Sequence, residues 1–215
     1  MNGYELPLFP LNTVLFPGMP LPLHIFEDRY KEMIEWCVLQ QRPFGVVLVR
    51  SGVTEGGPLA EPHDVGCTAH ITQVQPLSQG RKFIMAVGQD RFRIRSLNYD
   101  NAYLMGEVEH YPLLPEAGDR LQQPARQLYP LVVNYLELLA NLGDVELDIS
   151  QVPQDYKNLP YLAAAIIQIP TEEKQSLLAI ERTSTMLHML QSIYREQLAL
   201  LRLMPRHDQE AFSLN

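Results

Sequence analysis

The chain has 215 residues, of which 46% are hydrophobic and 20% are charged, and its formal net charge at pH 7 is −8. This composition is typical of a soluble globular protein with one large domain or two small ones. The acidity opposes general binding to nucleic acid, whose phosphates it repels. Because no signal-peptide pattern opens the chain and no apolar run reaches the roughly 18 residues of a membrane span, we expect a cytoplasmic protein without a membrane partner.

The first forty residues predict a strand, a turn, a second strand and a helix. Prolines within the two apolar runs keep the strands short, because proline lacks an N–H group. Pro17 and Gly18 predict the turn between them, with a positive φ at the glycine. A helix then begins near Glu27, with an acidic first turn that suits the helix dipole. Its apolar face comprises residues at helical spacing: Tyr30, Met33, Ile34, Cys37 and Val38.

Strand patterns continue through the first half of the chain. Further strands are predicted at residues 44–50, 66–74, 83–87, 91–97 and 103–111. A hairpin tip is expected at 78–82 and a turn at 88–90, which begins with a glycine. A sheet of such short strands needs to close into a barrel or to have its edges covered by other elements. We therefore expect a β-rich barrel with one packed helix.

The second half changes to the period of α-helices. Four helices are predicted, at residues 119–142, 158–169, 171–178 and 184–204. Pro130 favours a kink or break in the first of them, Pro170 ends the second, and Thr171 is the expected N-cap of the third. The chain is therefore predicted to be an α+β protein. Its expected parts are a β-rich subdomain at 1–115, a helical subdomain at 116–204 and a frayed tail at 205–215.

Several ordered motifs together resemble one known family. They are Pro22-Leu23-His24-Ile25-Phe26-Glu27-Asp28-Arg29-Tyr30, Phe44-Gly45-Val46-Val47, Val65-Gly66-Cys67-Thr68-Ala69 and Gly88-Gln89-Asp90-Arg91-Phe92. The chain resembles the N-terminal, substrate-binding domain of Lon proteases, in the stand-alone bacterial version that lacks the ATPase and peptidase domains. The resemblance implies a PUA-like β pseudo-barrel followed by a helical bundle that ends in a long helix. It also implies a role in recognising unfolded or tagged proteins.

The motifs of an ATP-dependent protease are missing from these 215 residues. No G-x-x-x-x-G-K-[ST] phosphate loop occurs, and no serine and lysine resemble the Lon peptidase motif. The six histidines lack metal-ligand spacing, and Cys37 lies on the apolar helix face, where a reduced core thiol is expected rather than a nucleophile. We therefore expect no enzyme activity, no cofactor and no metal.

A charged group at the start of the first predicted helix is one candidate partner-binding site. It comprises Glu27, Asp28, Arg29 and Glu32. In the functional interpretation, these residues form ion pairs with a segment of a partner protein. In the alternative, they are solvated charges on an amphipathic helix, where Glu27 pairs with Lys31. Arg29 has a further alternative role, as a structural bridge to the barrel.

A basic strip is the second candidate site. It comprises Arg81, Lys82, Arg91, Arg93 and Arg95. Strict alternation places the last three on one strand face, opposite Phe92 and Ile94, where they would contact RNA phosphates. The alternative is a solvated strand face paired with nearby acids.

The bulky apolar residues of the first thirty positions belong either to the hydrophobic core or to a binding groove. They are Leu8, Phe9, Phe16 and Phe26. Core positions are the expected outcome, and an exposed apolar patch would suit an unfolded polypeptide.

The favoured hypothesis is a non-catalytic module that binds unfolded polypeptide or one specific protein partner. The alternatives are an RNA-contacting PUA-like protein and, with less support, an enzyme of unknown chemistry; we expect a monomer or a weak homodimer.

Overall fold

The computed structural model describes residues 3–52, 61–143 and 149–203. They form two compact units, Met1–Pro112 with Gln168–Ala179 and Leu113–Ile167 with Ile180–Asn215. The predicted α+β class is confirmed. The predicted division at residues 115 and 116 stays a prediction, and the segment Gln168–Ala179 packs within the first unit. The tail predicted at 205–215 lies outside the described residues.

Strands dominate the described part of the first unit. They are β1 (Tyr4–Leu11), β2 (Pro20–Ile25), β3 (Phe44–Ser51), β4 (Glu61–Pro62), β5 (Val65–Pro76), β6 (Lys82–Asn98) and β7 (Leu104–His110). Five of them follow one another in the order β1-β7-β6-β5-β3, and β3 pairs in parallel with β1, so the ring is closed. Closure removes free sheet edges within the ring. The expected barrel is therefore present.

Two apolar clusters hold this unit together. One fills the interior of the ring with Leu6, Leu8, Val47, Phe92, Leu104 and Val108. The other joins the outer face of the sheet to α1 (Asp28–Gln40), through residues that include Phe9, Met33 and Phe44. Successive strand residues point to opposite faces, so β1 supplies Leu8 to the first cluster and Phe9 to the second.

The turn predicted at residues 88–90 is wrong, because β6 runs without interruption through them. Gly88 instead allows the first turn of the chain to approach the strand closely. Its N–H donates to the Met19 carbonyl at 3.0 Å, and the Gly18 N–H donates to the Gly88 carbonyl at 2.8 Å. A Cβ atom on Gly88 would lie 2.3 Å from the Phe16 carbonyl oxygen. The predicted positive φ of Gly18 is present, at 81°.

The first helix agrees with its prediction except at one residue. α1 begins directly after Glu27, whose carbonyl accepts hydrogen bonds from the N–H groups of Tyr30 and Lys31. It buries Tyr30, Met33, Ile34 and Cys37. Val38, predicted on the same face, is 46% exposed. It lies at the border of the apolar stripe, in the last turn of the helix, where no described strand covers it.

The remaining helices are α2 (Gly118–Gly143), α3 (Leu159–Ile166), α4 (Thr171–Leu178) and α5 (Thr183–Leu203). α4 belongs to the first unit, and the other three belong to the second. α2 continues through Pro130, so the expected break is absent. Packing against α5 supports the helix there, including an edge-to-face contact between Tyr135 and Tyr194 at 5.3 Å. Pro170, rather than Thr171, occupies the N-cap of α4.

The longest predicted helix forms as expected. α5 spans Thr183–Leu203 and buries its predicted apolar face of Leu187, Leu190, Tyr194, Leu198 and Leu201. The Tyr194 hydroxyl donates a hydrogen bond of 2.9 Å to the Ala163 carbonyl, which ties α5 to α3. None of the helices in the described ranges is both long enough and apolar enough to cross a membrane.

Candidate functional site

An apolar cavity opens where β1 and β2 end and α1 begins. Its volume is about 250 Å³. Its apolar lining includes Phe9, Leu11, Leu23, Ile25, Phe26 and Tyr30, and we call this surface the apolar groove. Asn12, His24 and Glu27 add polar groups to it. A concave apolar surface with a few polar groups is the usual form of a site that binds an apolar ligand group.

Phe26 is the exposed aromatic residue of the apolar groove. Leu8, Phe9 and Phe16 are buried as predicted, but 48% of Phe26 is exposed. The side chain of Ile25 enters the core, and Phe26 follows it in the short link between β2 and α1. The expectation of a core position for Phe26 is therefore wrong. Large exposed apolar surface beside a concavity is typical of a binding site.

Two stacked aromatic rings line the apolar groove. The rings of Phe9 and Tyr30 lie 4.0 Å apart between centroids and are inclined by 21°. The Arg29 guanidinium lies 4.7 Å from the centroid of the Tyr30 ring. Burial raises the pKa of the Tyr30 hydroxyl, so the ring remains neutral at physiological pH. The lining of the apolar groove thus includes two stacked, uncharged rings in addition to the exposed ring of Phe26.

The four charged candidates make different local contacts, and a partner-binding role for them stays a prediction. Glu27 accepts from the Arg29 guanidinium at 2.8 Å, and both side chains are largely buried. Asp28 is exposed and pairs with Lys31 at 2.9 Å, which holds the pKa of Asp28 below its usual value. The expected pair between Glu27 and Lys31 is therefore replaced by two shorter-range pairs. Glu32 is exposed, and of the four predicted residues only Glu27 lines the apolar groove.

The predicted basic strip is divided between buried and exposed positions. Arg91 is only 3% exposed and donates from Nη1 to the Leu178 carbonyl at 2.6 Å. Arg93 is half-buried, with its guanidinium 4.1 Å from the centroid of the Tyr111 ring. Arg95 is exposed and forms an ion pair with Glu109. The strand face is thus partly covered, because α4 packs over the position of Arg91.

The other two basic candidates lie at the opposite end of β6. Arg81 is exposed and donates hydrogen bonds to the backbone carbonyl and the hydroxyl of Ser78. Lys82 forms an ion pair with Glu35 of α1. Both side chains therefore contribute to local contacts of the hairpin and of α1. Contact with RNA at the five basic residues stays a prediction.

The two thiols are buried in the first unit. Cys37 lies on the core face of α1 and Cys67 within β5. Burial raises the pKa of each thiol to about 12. A thiol reacts as a nucleophile in its thiolate form. At physiological pH, which is far below these pKa values, the thiolate is a minor species. Across the described ranges, no group of three or more His, Cys, Asp and Glu side chains is arranged to hold a metal ion.

Both thiols are expected to resist alkylation in the folded protein. We expect iodoacetamide at pH 8 to leave the native chain unmodified over the time in which free glutathione reacts completely. In denaturant both thiols should react. Mass spectrometry of the intact protein measures the number of added groups. Rapid modification of either Cys37 or Cys67 under native conditions would contradict the buried positions.

Most residues of the apolar groove were not predicted as site residues. The sequence placed Leu23 and Ile25 in the apolar run of the second predicted strand and Tyr30 on the apolar face of the first helix. Alternation and helical spacing reveal which residues share a face, but not where that face remains uncovered. Asn12 belongs to none of the quoted motifs, and His24 belongs to the motif at 22–30, which did not indicate a position in a groove. Phe26 carried a partial signal, because it lies between the strand pattern and the helix pattern.

Known proteins with similar sequences are Lon proteases and related proteins. A Lon protease of Anaeromyxobacter dehalogenans is 26% identical over 195 residues, which cover 89% of this chain and 23% of that protein. A LON peptidase N-terminal domain and RING finger protein of Schizosaccharomyces pombe is 27% identical over 187 residues, covering 80% of this chain and 37% of that protein. The chain therefore spans less than two fifths of the length of these relatives.

Two solved structures are also similar. A Lon N-terminal domain protein from Xanthomonas campestris has a TM-score of 0.62 and 25% identity, covering 94% of this chain and 99% of its own. The N-terminal domain of a Mycobacterium avium complex Lon protease has a TM-score of 0.68 and 18% identity, and the match covers 90% of this chain and 99% of that one. This second likeness concerns the fold alone. A family model described as the ATP-dependent protease La (LON) substrate-binding domain matches residues 5–195. The resemblance inferred from the sequence motifs is thereby confirmed, and the chain belongs to the family of LON substrate-binding domains.

Proposed function

We propose that this protein is a non-catalytic module that binds exposed apolar segments of polypeptides in the apolar groove. The observation that carries the proposal is the half-exposed ring of Phe26 beside an apolar cavity of about 250 Å³. Membership of the LON substrate-binding family supports a polypeptide as the ligand. The absence of phosphate-loop and peptidase motifs from the 215 residues supports binding without catalysis.

The apolar groove suits one bulky side chain of a bound segment. Phe9 and Tyr30 provide two stacked rings, and the half-exposed ring of Phe26 adds apolar surface for the inserted side chain. Burial of a large apolar side chain contributes about 1.5–3 kcal/mol. Because this contribution is not ionic, binding should tolerate salt. Of the Glu27–Arg29 pair at the start of α1, Glu27 lines the groove, and its carboxylate is paired with the Arg29 guanidinium.

Replacement of Phe26 with alanine is expected to weaken peptide binding about tenfold, since it removes the most exposed aromatic side chain of the groove. Tyr99→Ala is the matched control, because Tyr99 is a comparably exposed aromatic residue, at 49%, that does not line the groove. Fluorescence anisotropy of labelled unfolded peptides, at low and high salt, measures both affinities.

Equal affinities of Phe26→Ala and Tyr99→Ala for the peptides would contradict the proposed site. A labelled RNA oligomer titrated over the same salt series tests the alternative function. We expect no saturable RNA binding at physiological salt, because the net charge is −8 and Arg91 is buried. RNA binding that falls steeply with salt, in the absence of peptide binding, would favour the alternative.

A further inference from the structure

One edge of the sheet remains open although the five-stranded ring is closed. β5 pairs with β6 from Val65 to Pro76, but it pairs with β3 only over Cys67–Ala69. From His70 onward, no strand within the described ranges pairs with its other edge. The residues before β3 turn away into α1, so the chain does not continue the pairing. β5 thus extends beyond the ring with one unpaired edge.

Apart from Pro76 at its end and one register shift, this edge lacks the features that usually protect an exposed strand. Natural edges carry prolines, lysines or other charges, because free N–H and C=O groups attract further strands. The outer edge of β2 has Pro20 and Pro22. The sequence His-Ile-Thr-Gln-Val-Gln at 70–75 contains no proline and no Asp, Glu, Lys or Arg. A register shift occurs at Thr72, but its hydroxyl donates to the Met85 carbonyl at 3.1 Å and ties the irregularity to β6.

A cleft of about 450 Å³ lies between this edge and the last turn of α1. Val38 on the helix side and Val74 on the strand side are 46% and 36% exposed. Ile71 and Cys37 add apolar surface to the lining. The cleft therefore combines unpaired main-chain groups with apolar contacts for side chains. It also accounts for the exposure of Val38, which its helical spacing alone would have placed in the core.

The chemistry of the cleft favours an uncharged, extended chain. Gln41 and Arg42, which directly follow α1, add an amide and a guanidinium to its lining. Arg42 already donates to the Glu5 carbonyl at 3.2 Å and lies over the Trp36 ring. The remaining lining is almost uncharged, so an apolar or β-branched segment fits it better than a charged one.

We propose that the edge of β5 from His70 to Val74 binds an extended, uncharged polypeptide segment as an added strand beside the last turn of α1. Main-chain hydrogen bonds to the edge hold the segment, and alternate side chains pack against Val38 and Val74. Such a site accepts many sequences, because the main chain is common to all of them. It uses none of the residues that line the apolar groove.

The test uses a labelled peptide with an alternating Val-Thr core and two N-methylated versions of it. In one version the methyl groups are on odd-numbered residues, and in the other they are on even-numbered residues. An added strand directs only one of these sets toward β5, so we expect one version to bind about tenfold more weakly and the other to bind like the parent. Amide hydrogen exchange at 70–75 should slow on binding. Equal binding of all three peptides, or unchanged exchange at 70–75, would overturn the proposal.

Protein variants separate this site from the apolar groove. Val38→Lys is expected to weaken binding of the Val-Thr peptide at least fivefold, whereas Leu39→Lys, at a neighbouring residue that is 78% exposed and outside the cleft, should not. Loss of binding in Phe26→Ala together with unchanged binding in Val38→Lys would place the peptide in the groove and overturn the edge proposal alone. Sedimentation that shows a dimer abolished by Val38→Lys would overturn the peptide as occupant in favour of a second copy.

Discussion

Replacement of Phe92 with alanine is expected to lower the free energy of unfolding by about 3–5 kcal/mol. Phe92 is fully buried and lies inside the closed ring among residues of β1, β3 and β7. Its removal leaves a cavity that the hydrogen-bonded ring cannot collapse to fill. Urea unfolding followed by the fluorescence of Trp36, the single tryptophan, measures the change in the first unit.

Two further variants control this result. Ile94→Ala, at a half-buried position two residues along the same strand, should cost about 1 kcal/mol. A Cβ atom on Gly45 would lie 2.7 Å from Cζ of Phe92, so Gly45→Ala should also destabilise the wild-type protein. In the Phe92→Ala background, Gly45→Ala should lower the free energy of unfolding by less, because the space vacated by the Phe92 ring is then available. Strictly additive changes in the free energy of unfolding would contradict the packing of Phe92 against Gly45.

Replacement of Arg91 with methionine is expected to lower the free energy of unfolding by about 2–3 kcal/mol. Methionine retains much of the length and packing of the side chain but removes the donor to the Leu178 carbonyl. The loss should loosen α4, which is also held by hydrogen bonds from Gln175 to the Val65 carbonyl, at 3.0 Å, and from the Tyr111 hydroxyl to the Ala179 carbonyl, at 3.0 Å. Hydrogen exchange within α4, together with urea unfolding, measures both effects.

Arg81→Met is the matched control for Arg91→Met. Arg81 is exposed, and its guanidinium donates to Ser78 three residues before it, so the free energy of unfolding should change by less than about 0.5 kcal/mol. A structural role predicts that neither substitution alters the affinity for RNA. Equal stability of the two variants, combined with loss of RNA binding in Arg91→Met, would show that Arg91 serves an RNA contact instead.

Arg91 illustrates why the candidate sites were harder to predict than the strands that carry them. The alternation of Arg91, Phe92 and Arg93 correctly indicates a strand, and it separates two faces. It does not show that α4, more than seventy residues later in the chain, covers Arg91. A similar limit applies to Gly88. The sequence predicted a turn there, but the glycine instead lets β6 lie close to the segment of Gly18 and Met19.

The charged residues at the start of α1 show a further limit. Helical spacing made Glu27 and Lys31 a plausible pair, but Glu27 lies outside the helix as its N-cap residue and pairs with Arg29. The helix itself and most of its buried face followed from the sequence, because an apolar stripe needs only local spacing. The exposure of Val38 did not follow from the sequence, because it depends on the open edge of β5.

The sequence by itself determined the α+β class, most strand and helix positions, the family, and the absence of phosphate-loop and peptidase motifs from the chain. Each of these depends on local periods or on short motifs, which are present before the chain folds. The tertiary structure decided that Phe26 remains half-exposed, that Arg91 is buried under α4, and that no strand of the described ranges pairs with the outer edge of β5 from His70 onward. Exposure is a property of what covers a residue, and the covering elements come from distant parts of the chain.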